Sequence, residues 1–191
     1  MNLEEEKHLL QQIKTDPEKF GVLFDACYQP IFKYILRRVA DYDISRDIAA
    51  ECFLKAFLNI QSFTWKGISL SSWLYRIATN EINYYFRQHK QYTSSLEQLK
   101  NRGEFDMMDS PEYVNEKQLL EKELEQHNEF KRVQKGLTQL DIKYQEVLSL
   151  RYFEKKSILE IAEILNKNEG TVKSLLSRGT GKLRKLIMNA T

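Results

Sequence analysis

The C-terminal part of the chain contains the segment SILEIAEILNKNEGTVKSLLSRG at residues 157–179. Ser157 and Glu160 stand three residues apart, which is the spacing of a capping box at a helix start. Apolar residues then follow one side of a short helix until the polar run 166–168, where Asn168 is suited to cap a second helix. The apolar residues of that second helix share one stripe: Val172, Leu175, Leu176, Gly179, Leu183, Leu186 and Ile187. Two helices joined by a tight turn predict a helix-turn-helix.

The other side of the second helix carries small and basic residues. Small residues let a helix enter the major groove of DNA, while Lys173 and Arg178 can reach phosphates or guanine edges. An ordinary helical hairpin with a solvated basic face is the alternative interpretation. We take as candidate DNA contacts Gly170, Thr171, Lys173, Ser174, Ser177, Arg178 and Lys182.

The rest of the chain is also predicted to be helical. Its 191 residues include only 7 Gly and 3 Pro, and apolar residues recur at intervals of three and four. We predict an all-α protein of two small helical domains, residues 1–91 and 111–191, joined by a flexible linker at 92–110, which lacks the periodicity. The predicted helices are 3–13, 20–39 with Pro30 inside, a third ending near 62, 71–91, 110–135, 137–153 and the two of the helix-turn-helix.

Charge is unevenly distributed along the chain. Residues 20–92 carry 9 basic and 6 acidic side chains, residues 93–130 carry 4 and 10, and residues 131–191 carry 13 and 6. Two basic blocks separated by an acidic block favour two surfaces for a polyanion. Charge alone fits an acidic protein partner equally well.

Several function classes lack their residues in this sequence. Cys27 and Cys52 form no C-x-x-C pair, the three histidines are scattered, and no catalytic triad or phosphate loop is present. We therefore expect no catalytic residue, no metal site and no cofactor. Because no apolar run reaches the roughly 20 residues of a membrane span, we expect no membrane insertion and a cytoplasmic location.

Two further groups of residues in the N-terminal domain are candidate binding surfaces. Arg76, Asn80, Asn83 and Arg87 form one polar stripe on the fourth helix, and the preceding loop holds Phe63, Trp65 and Lys66, a combination suited to stacking on unpaired bases. A solvated helix face and a buried Trp65 are the alternatives. The third helix presents a mixed acidic and apolar strip that is suited to a partner helix. The alternative is a simple exposed face on which Glu51 pairs with Lys55. The residues of the strip are Asp47, Glu51, Leu54, Lys55 and Leu58.

The order of these motifs resembles that of the extracytoplasmic-function (ECF) sigma factors, which are bacterial transcription initiation factors. The segments that carry the resemblance span most of the chain: DIAAECFLKA at 47–56, SWLYRIATN at 72–80, YFR at 85–87, SPE at 110–112, VLSLRYF at 147–153, EIAEIL at 160–165 and GTVKS at 170–174. There are departures from the family pattern. Ala50 replaces a usual glutamine, Arg46 a usual acid, Asn166 a usual glycine and Leu175 a common arginine.

The resemblance implies a role for each surface. Asp47, Glu51, Leu54 and Lys55 would bind the clamp helices of the core RNA polymerase β′ subunit. Phe63, Trp65, Lys66 and the Arg76–Arg87 stripe would bind the promoter −10 element and help melt the DNA, with one base captured by the loop. The α-helical C-terminal domain would read the −35 element beside the β flap, and an anti-sigma factor would hold the protein inactive.

Two other functions remain open from the residues alone. A stand-alone helix-turn-helix transcriptional regulator would bind duplex DNA tightly without polymerase. A helical adaptor that binds only proteins would not need the Arg/Asn stripe.

Overall fold

The computed structural model describes residues 3–65, 69–96, 133 and 135–188. The predicted helix at 110–135 and the linker beyond residue 96 therefore lie almost wholly outside the described residues, and the domain boundaries remain predictions. The main helices are α1 (Leu3–Thr15), α2 (Phe20–Val39), α3 (Tyr42–Asn59), α4 (Leu70–Leu96), α5 (Ile142–Leu148), α6 (Ile158–Leu165) and α7 (Glu169–Met188). No strand occurs in these ranges, so the predicted all-α class is confirmed.

The N-terminal domain packs α2, α3 and α4 against one another, with α1 alongside. Their apolar stripes meet in a core whose fully buried members include Leu23, Ile35, Leu74 and Ile82. Pro30 lies inside α2 without ending the helix. Cys27 and Cys52 are buried free thiols, as core residues would be. Burial raises the pKa of Cys27 to about 11, and a nearby carboxylate adds to this effect.

The start of α4 is held by a carboxylate from α1. Glu6 is buried, and its Oε2 accepts a hydrogen bond from the main-chain N–H of Leu70 at 2.7 Å. An acid at a helix N-terminus satisfies an otherwise unpaired donor and complements the helix dipole. Burial nevertheless raises the pKa of Glu6, and the N–H groups of Leu70 and Ser71 only partly offset this effect.

The C-terminal domain contains the predicted helix-turn-helix. Ser157 and Glu160 form the predicted capping box, and Asn166 ends α6 in the left-handed conformation at φ 51°. Asn168 then caps α7 by accepting from the N–H of Thr171 at 2.7 Å. α7 packs closely on α5 at Gly179, where an added Cβ would lie 3.3 Å from both Tyr144 and Leu148.

Two helix boundaries differ from the prediction. α4 continues to Leu96 rather than ending near residue 91, because no glycine or proline stands between residues 91 and 96 to end the helix. The predicted helix at 137–153 is interrupted near Leu140, and α5 begins only after Asp141. Gln145 explains the break: its side-chain amide donates to the carbonyls of Thr138 and Leu140, which satisfies main-chain acceptors that a continuous helix would otherwise use.

α5 passes directly into a π-helical turn, Ser149–Phe153. Such turns hold one extra residue and often occur at functional sites. Here the turn is followed by Glu154, which reaches the N-terminal domain. Within the described ranges, no helix is both long enough and apolar enough to span a membrane.

Candidate nucleic-acid interface

An open cleft lies between α3, α4 and the segment that joins them. Its volume is about 560 Å³. Phe63 and Trp73 form an aromatic floor, with their ring centres 4.8 Å apart, and the rim is polar. The described residues that line it are Lys55, Asn59, Ser62, Phe63, Thr64, Trp73, Arg76, Ile77, Asn80 and Glu81. An aromatic floor with a polar rim suits a planar, hydrogen-bonding ligand such as a nucleobase.

The three predicted loop residues differ in their placement. Phe63 lines the cleft, whereas Trp65 is half-buried against the core and is not part of the described lining. Lys66 lies outside the described residues. The loop is attached to α1, because the ammonium of Lys14 donates to the carbonyl of Phe63 at 2.8 Å.

The predicted polar stripe on α4 is divided between solvent and protein. Asn80 and Arg87 are exposed. Arg76 lines the cleft, but its Nη2 donates to the main-chain carbonyl of Glu163 on α6 at 2.5 Å. The side-chain amide of Asn83 donates to Oε1 of Glu146 at 2.7 Å. Half of the stripe is thus bound to the C-terminal domain.

The strip predicted on α3 is mostly exposed. The side chain of Asp47 is 79% accessible, and Glu51 and Leu54 also face solvent. Lys55 is turned toward α4, with its ammonium 2.7 Å from Glu81 of that helix and 3.1 Å from Glu51 of α3. The hydrogen bond to Glu81 raises the pKa of Lys55, and Glu51 adds to this effect, so the side chain stays charged.

Exposed apolar side chains extend this strip toward the end of α3. Leu58 is 67% accessible and Phe57 is 43% accessible. Leu58 follows from the helical spacing. Phe57 was missed because it has the spacing of a core residue, and one edge of its environment is indeed the core, where its ring packs edge-on against Phe20.

The predicted reading face of α7 is present and faces solvent over most of its length. Gly170, Thr171, Lys173, Ser177 and Arg178 are exposed. Ser174 is half-buried and accepts hydrogen bonds from the guanidinium of Arg178, which holds that side chain along the helix. Lys182 lies at the edge of the face, with its ammonium 5.4 Å from the ring centre of Tyr144.

Sequence reasoning missed part of the cleft. Trp73 falls on the apolar side of α4 and so predicts a core residue, yet it is only half-buried and lines the cleft beside Phe63. Asn59 and Glu81 were missed as well, because they stand on separate helices. Only the packing of α3 on α4 brings them together.

Comparisons with known families match both domains. Residues 23–92 match the family described as Sigma-70 region 2, and residues 130–183 match Sigma-70, region 4.

Two curated proteins of Bacillus subtilis are similar over most of their length. The ECF RNA polymerase sigma factor SigW is 31% identical, with 94% of each chain covered. The RNA polymerase sigma factor YlaC is 33% identical, with 85% of this chain and 88% of that protein covered.

Two solved structures have a similar fold. The sigma factor RpoE in complex with the anti-sigma factor NepR from Bartonella quintana superposes with a TM-score of 0.69 at 18% identity, covering 90% of this chain and 98% of that one. CnrH in complex with the cytosolic domain of CnrY gives 0.68 at 18% identity, covering 97% and 99%.

Proposed function

The chain belongs to the ECF sigma factors of RNA polymerase, and from this premise we propose how its surfaces divide the work of promoter recognition. As a sigma factor, the protein directs polymerase to promoters. In our proposal the N-terminal domain binds the −10 element and the polymerase, and α7 reads the −35 element. We place it in the cytoplasm with the polymerase and assign it no chemistry of its own.

The observation that carries the proposal is the aromatic cleft beside the polar stripe of α4. Phe63 and Trp73 form its floor, and Arg76 and Asn80 stand on its rim. Unstacking a base from duplex DNA costs about a few kcal/mol, and stacking on aromatic side chains offsets that cost. A base of the non-template strand held here would keep the promoter open.

The exposed strip on α3 would bind the clamp helices of the β′ subunit. Asp47 and Glu51 offer charge, and Leu54 and Leu58 offer apolar area, which together suit a basic amphipathic partner helix. The C-terminal domain would rest on the β flap while its exposed basic face enters the major groove. An anti-sigma factor is the expected regulator, as the complexes of the two structural relatives suggest.

A reconstituted transcription assay tests this function. Core polymerase is mixed with the protein and a library of genomic fragments, and start sites are mapped. We expect start sites that share two upstream elements and that vanish when the protein is omitted. No protein-dependent start site in any fragment would contradict the assignment.

A gel-shift separates this function from that of a stand-alone regulator. Once a promoter is known, its duplex should be bound tightly and specifically only when polymerase and protein are both present. Tight specific binding by the protein alone, unaffected by polymerase, would favour the regulator instead.

A further inference from the structure

The two domains meet in an interface made largely of ionic and polar contacts. The residues that form it are Arg37, Arg38, Ser71, Tyr75, Arg76 and Asn83 from the N-terminal domain, and Glu146, Glu154, Lys156 and Glu163 from the C-terminal domain. We call this set the domain latch. Two of these residues, Arg76 and Asn83, belong to the stripe that we assign to the −10 element.

Glu154 is the centre of one half of the latch. Its Oε1 lies 2.5 Å from Nη1 of Arg37, and its Oε2 accepts from the hydroxyl of Tyr75 at 2.5 Å. Phe153 lies beneath the same guanidinium, 4.9 Å from ring centre to Cζ of Arg37. Lys156 completes this half by donating to the hydroxyl of Ser71 at 3.0 Å.

Glu146 is the centre of the other half. It accepts from Asn83 and lies 3.7 Å from Nη2 of Arg38. The Arg38 side chain is fully buried, and it also donates to the hydroxyl of Tyr34 and to the amide oxygen of Asn83. A buried guanidinium needs a carboxylate nearby, and the described partner comes from the opposite domain.

The latch is built to separate rather than to be permanent. Desolvation of charged groups cancels much of their attraction, so an ionic interface is weaker than an apolar one of equal size. Nε of Arg38 and Nε of Arg76 are buried without a hydrogen-bond partner among the described residues, which further weakens the closed arrangement. A cavity of about 250 Å³ also remains between the domains, lined in part by Glu6, Tyr75 and Lys156.

We propose that the latch is an autoinhibitory contact, through which the C-terminal domain of the free protein holds two residues of the −10 surface, Arg76 and Asn83, while leaving the −35 surface open. Arg76 and Asn83 are engaged by Glu163 and Glu146, whereas Lys173, Ser177 and Arg178 face solvent. The free protein therefore keeps a weak duplex binding through α7 but binds unpaired DNA poorly. Opening the latch releases Arg76 and Asn83, so that the whole stripe beside the open cleft can bind DNA. This regulatory role rests on the proposed function, but closure itself does not.

Distance measurements by electron paramagnetic resonance test closure without polymerase or DNA. Spin labels are placed at Glu18→Cys and Lys167→Cys, both exposed and in different domains, in a chain whose two buried thiols are replaced by alanine. The unaltered latch should give one narrow distance distribution. The Glu146→Gln/Glu154→Gln variant, which keeps side-chain size, should give a broad and longer one.

Glu163→Gln is the matched control. Arg76 binds the main-chain carbonyl of Glu163, so removing this carboxylate leaves the contact in place, and the narrow distribution should persist. The exchange variant Arg37→Glu/Glu154→Arg should restore closure that either single change disrupts. A broad distribution for the unaltered chain, or equal distributions for it and the double glutamine variant, would overturn the proposal.

Binding of a fluorescent mixed-sequence single-stranded DNA tests the consequence for the −10 surface. If only about a tenth of the free protein is open, the double glutamine variant should bind about tenfold more tightly, because apparent affinity scales with the open fraction. Binding to mixed-sequence duplex DNA should tighten much less, through the loss of two negative charges that acts on both kinds of DNA alike. Equal single-strand affinity in a variant shown to be open would overturn the autoinhibitory role, whereas failure of the transcription assay with closure intact would count against the proposed function alone.

Discussion

Glu6 holds the start of α4, but its contribution to the free energy of unfolding depends on pH. Its carboxylate caps α4, yet burial raises its pKa above the ordinary value of 4.5. The folded state therefore holds the proton more strongly than the unfolded state. The resulting stabilisation is complete below that ordinary value and is lost as the pH rises through the folded-state pKa.

Glu6→Gln should remove this pH dependence. The glutamine oxygen can still accept the N–H of Leu70, but it never ionises. The free energy of unfolding of the variant, relative to the unaltered protein, should increase from about pH 4 to about pH 7 in urea titrations. Glu5→Gln, on the exposed side of α1, is the control and should show no such trend; a parallel trend in both would contradict the account.

Phe63 and Trp65 are separated by one residue but should have different roles. Phe63→Leu keeps apolar volume in the cleft but removes the stacking surface, which is worth about 1–3 kcal/mol per base. It should slow strand opening, followed with a fluorescent base analogue, more than it weakens closed-complex binding.

Trp65→Leu is the comparison for the Phe63 variant. Since Trp65 packs on the core, its replacement should lower stability and affect both steps alike. Selective slowing of opening by Trp65→Leu, and not by Phe63→Leu, would assign the base contact to Trp65 instead.

Single residues also mark how far the sequence predicts the structure. The capping box of Ser157 and Glu160 follows from their spacing, because both partners are local. The pairing of Asn83 with Glu146 joins residues 63 apart in sequence, and nothing local to either helix indicates it. Such contacts depend on how whole domains meet, which periodicity does not encode.

At the scale of elements, α7 combines a packing side and a reading side in one helix. Gly179 allows α7 to approach α5, whereas Gly181 has open space around it. Gly181→Ala should raise the free energy of unfolding by about 0.5–1 kcal/mol, because alanine favours the helix.

Gly179→Ala gains the same propensity but crowds Tyr144 and Leu148. It should be less stable than Gly181→Ala by about 1–3 kcal/mol, the usual cost of overpacking a well-packed site. Chemical denaturation of both variants measures the difference. Equal stabilisation by the two substitutions would show that α7 and α5 can move apart freely.

The reading side of α7 gives a separate prediction. Arg178→Ala should weaken polymerase-dependent promoter binding by about 1–3 kcal/mol and relax preference at one position of the −35 element, if the guanidinium contacts a base. Lys143→Ala removes an equal charge from an exposed position on α5 and should leave base preference unchanged. Both effects can be measured by competition binding with substituted promoters.

The helices also show where pattern reading fails. Periodicity correctly predicts α2 across Pro30, because its apolar stripe continues on both sides of the proline. The same reasoning wrongly predicts one continuous helix over residues 137–153, because Leu137 and Leu140 both keep a helical spacing and are both buried. The competing hydrogen bonds of Gln145 carry no signal in hydrophobic spacing.

At the scale of the whole molecule, the latch should couple the unfolding of one domain to that of the other. An interface that exists only when both domains are folded stabilises each of them. Scanning calorimetry of the Glu146→Gln/Glu154→Gln variant should show the less stable domain melting earlier, by about 4–8 °C for each kcal/mol lost. The Glu163→Gln control should melt like the unaltered protein. A single unchanged transition in the double variant would show that the interface contributes no stability.

The π-helical turn at Ser149–Phe153 determines the direction in which Glu154 points. Because each residue of an ordinary helix advances by about 100°, deleting one residue there would regularise the turn and rotate Glu154 away from Arg37 and Tyr75. Every surface assigned to DNA or polymerase would keep its side chains. A mutation of a single codon thus removes the Glu154 half of the restraint on an initiation factor, which offers a bacterial lineage a short route to changing when its genes are expressed.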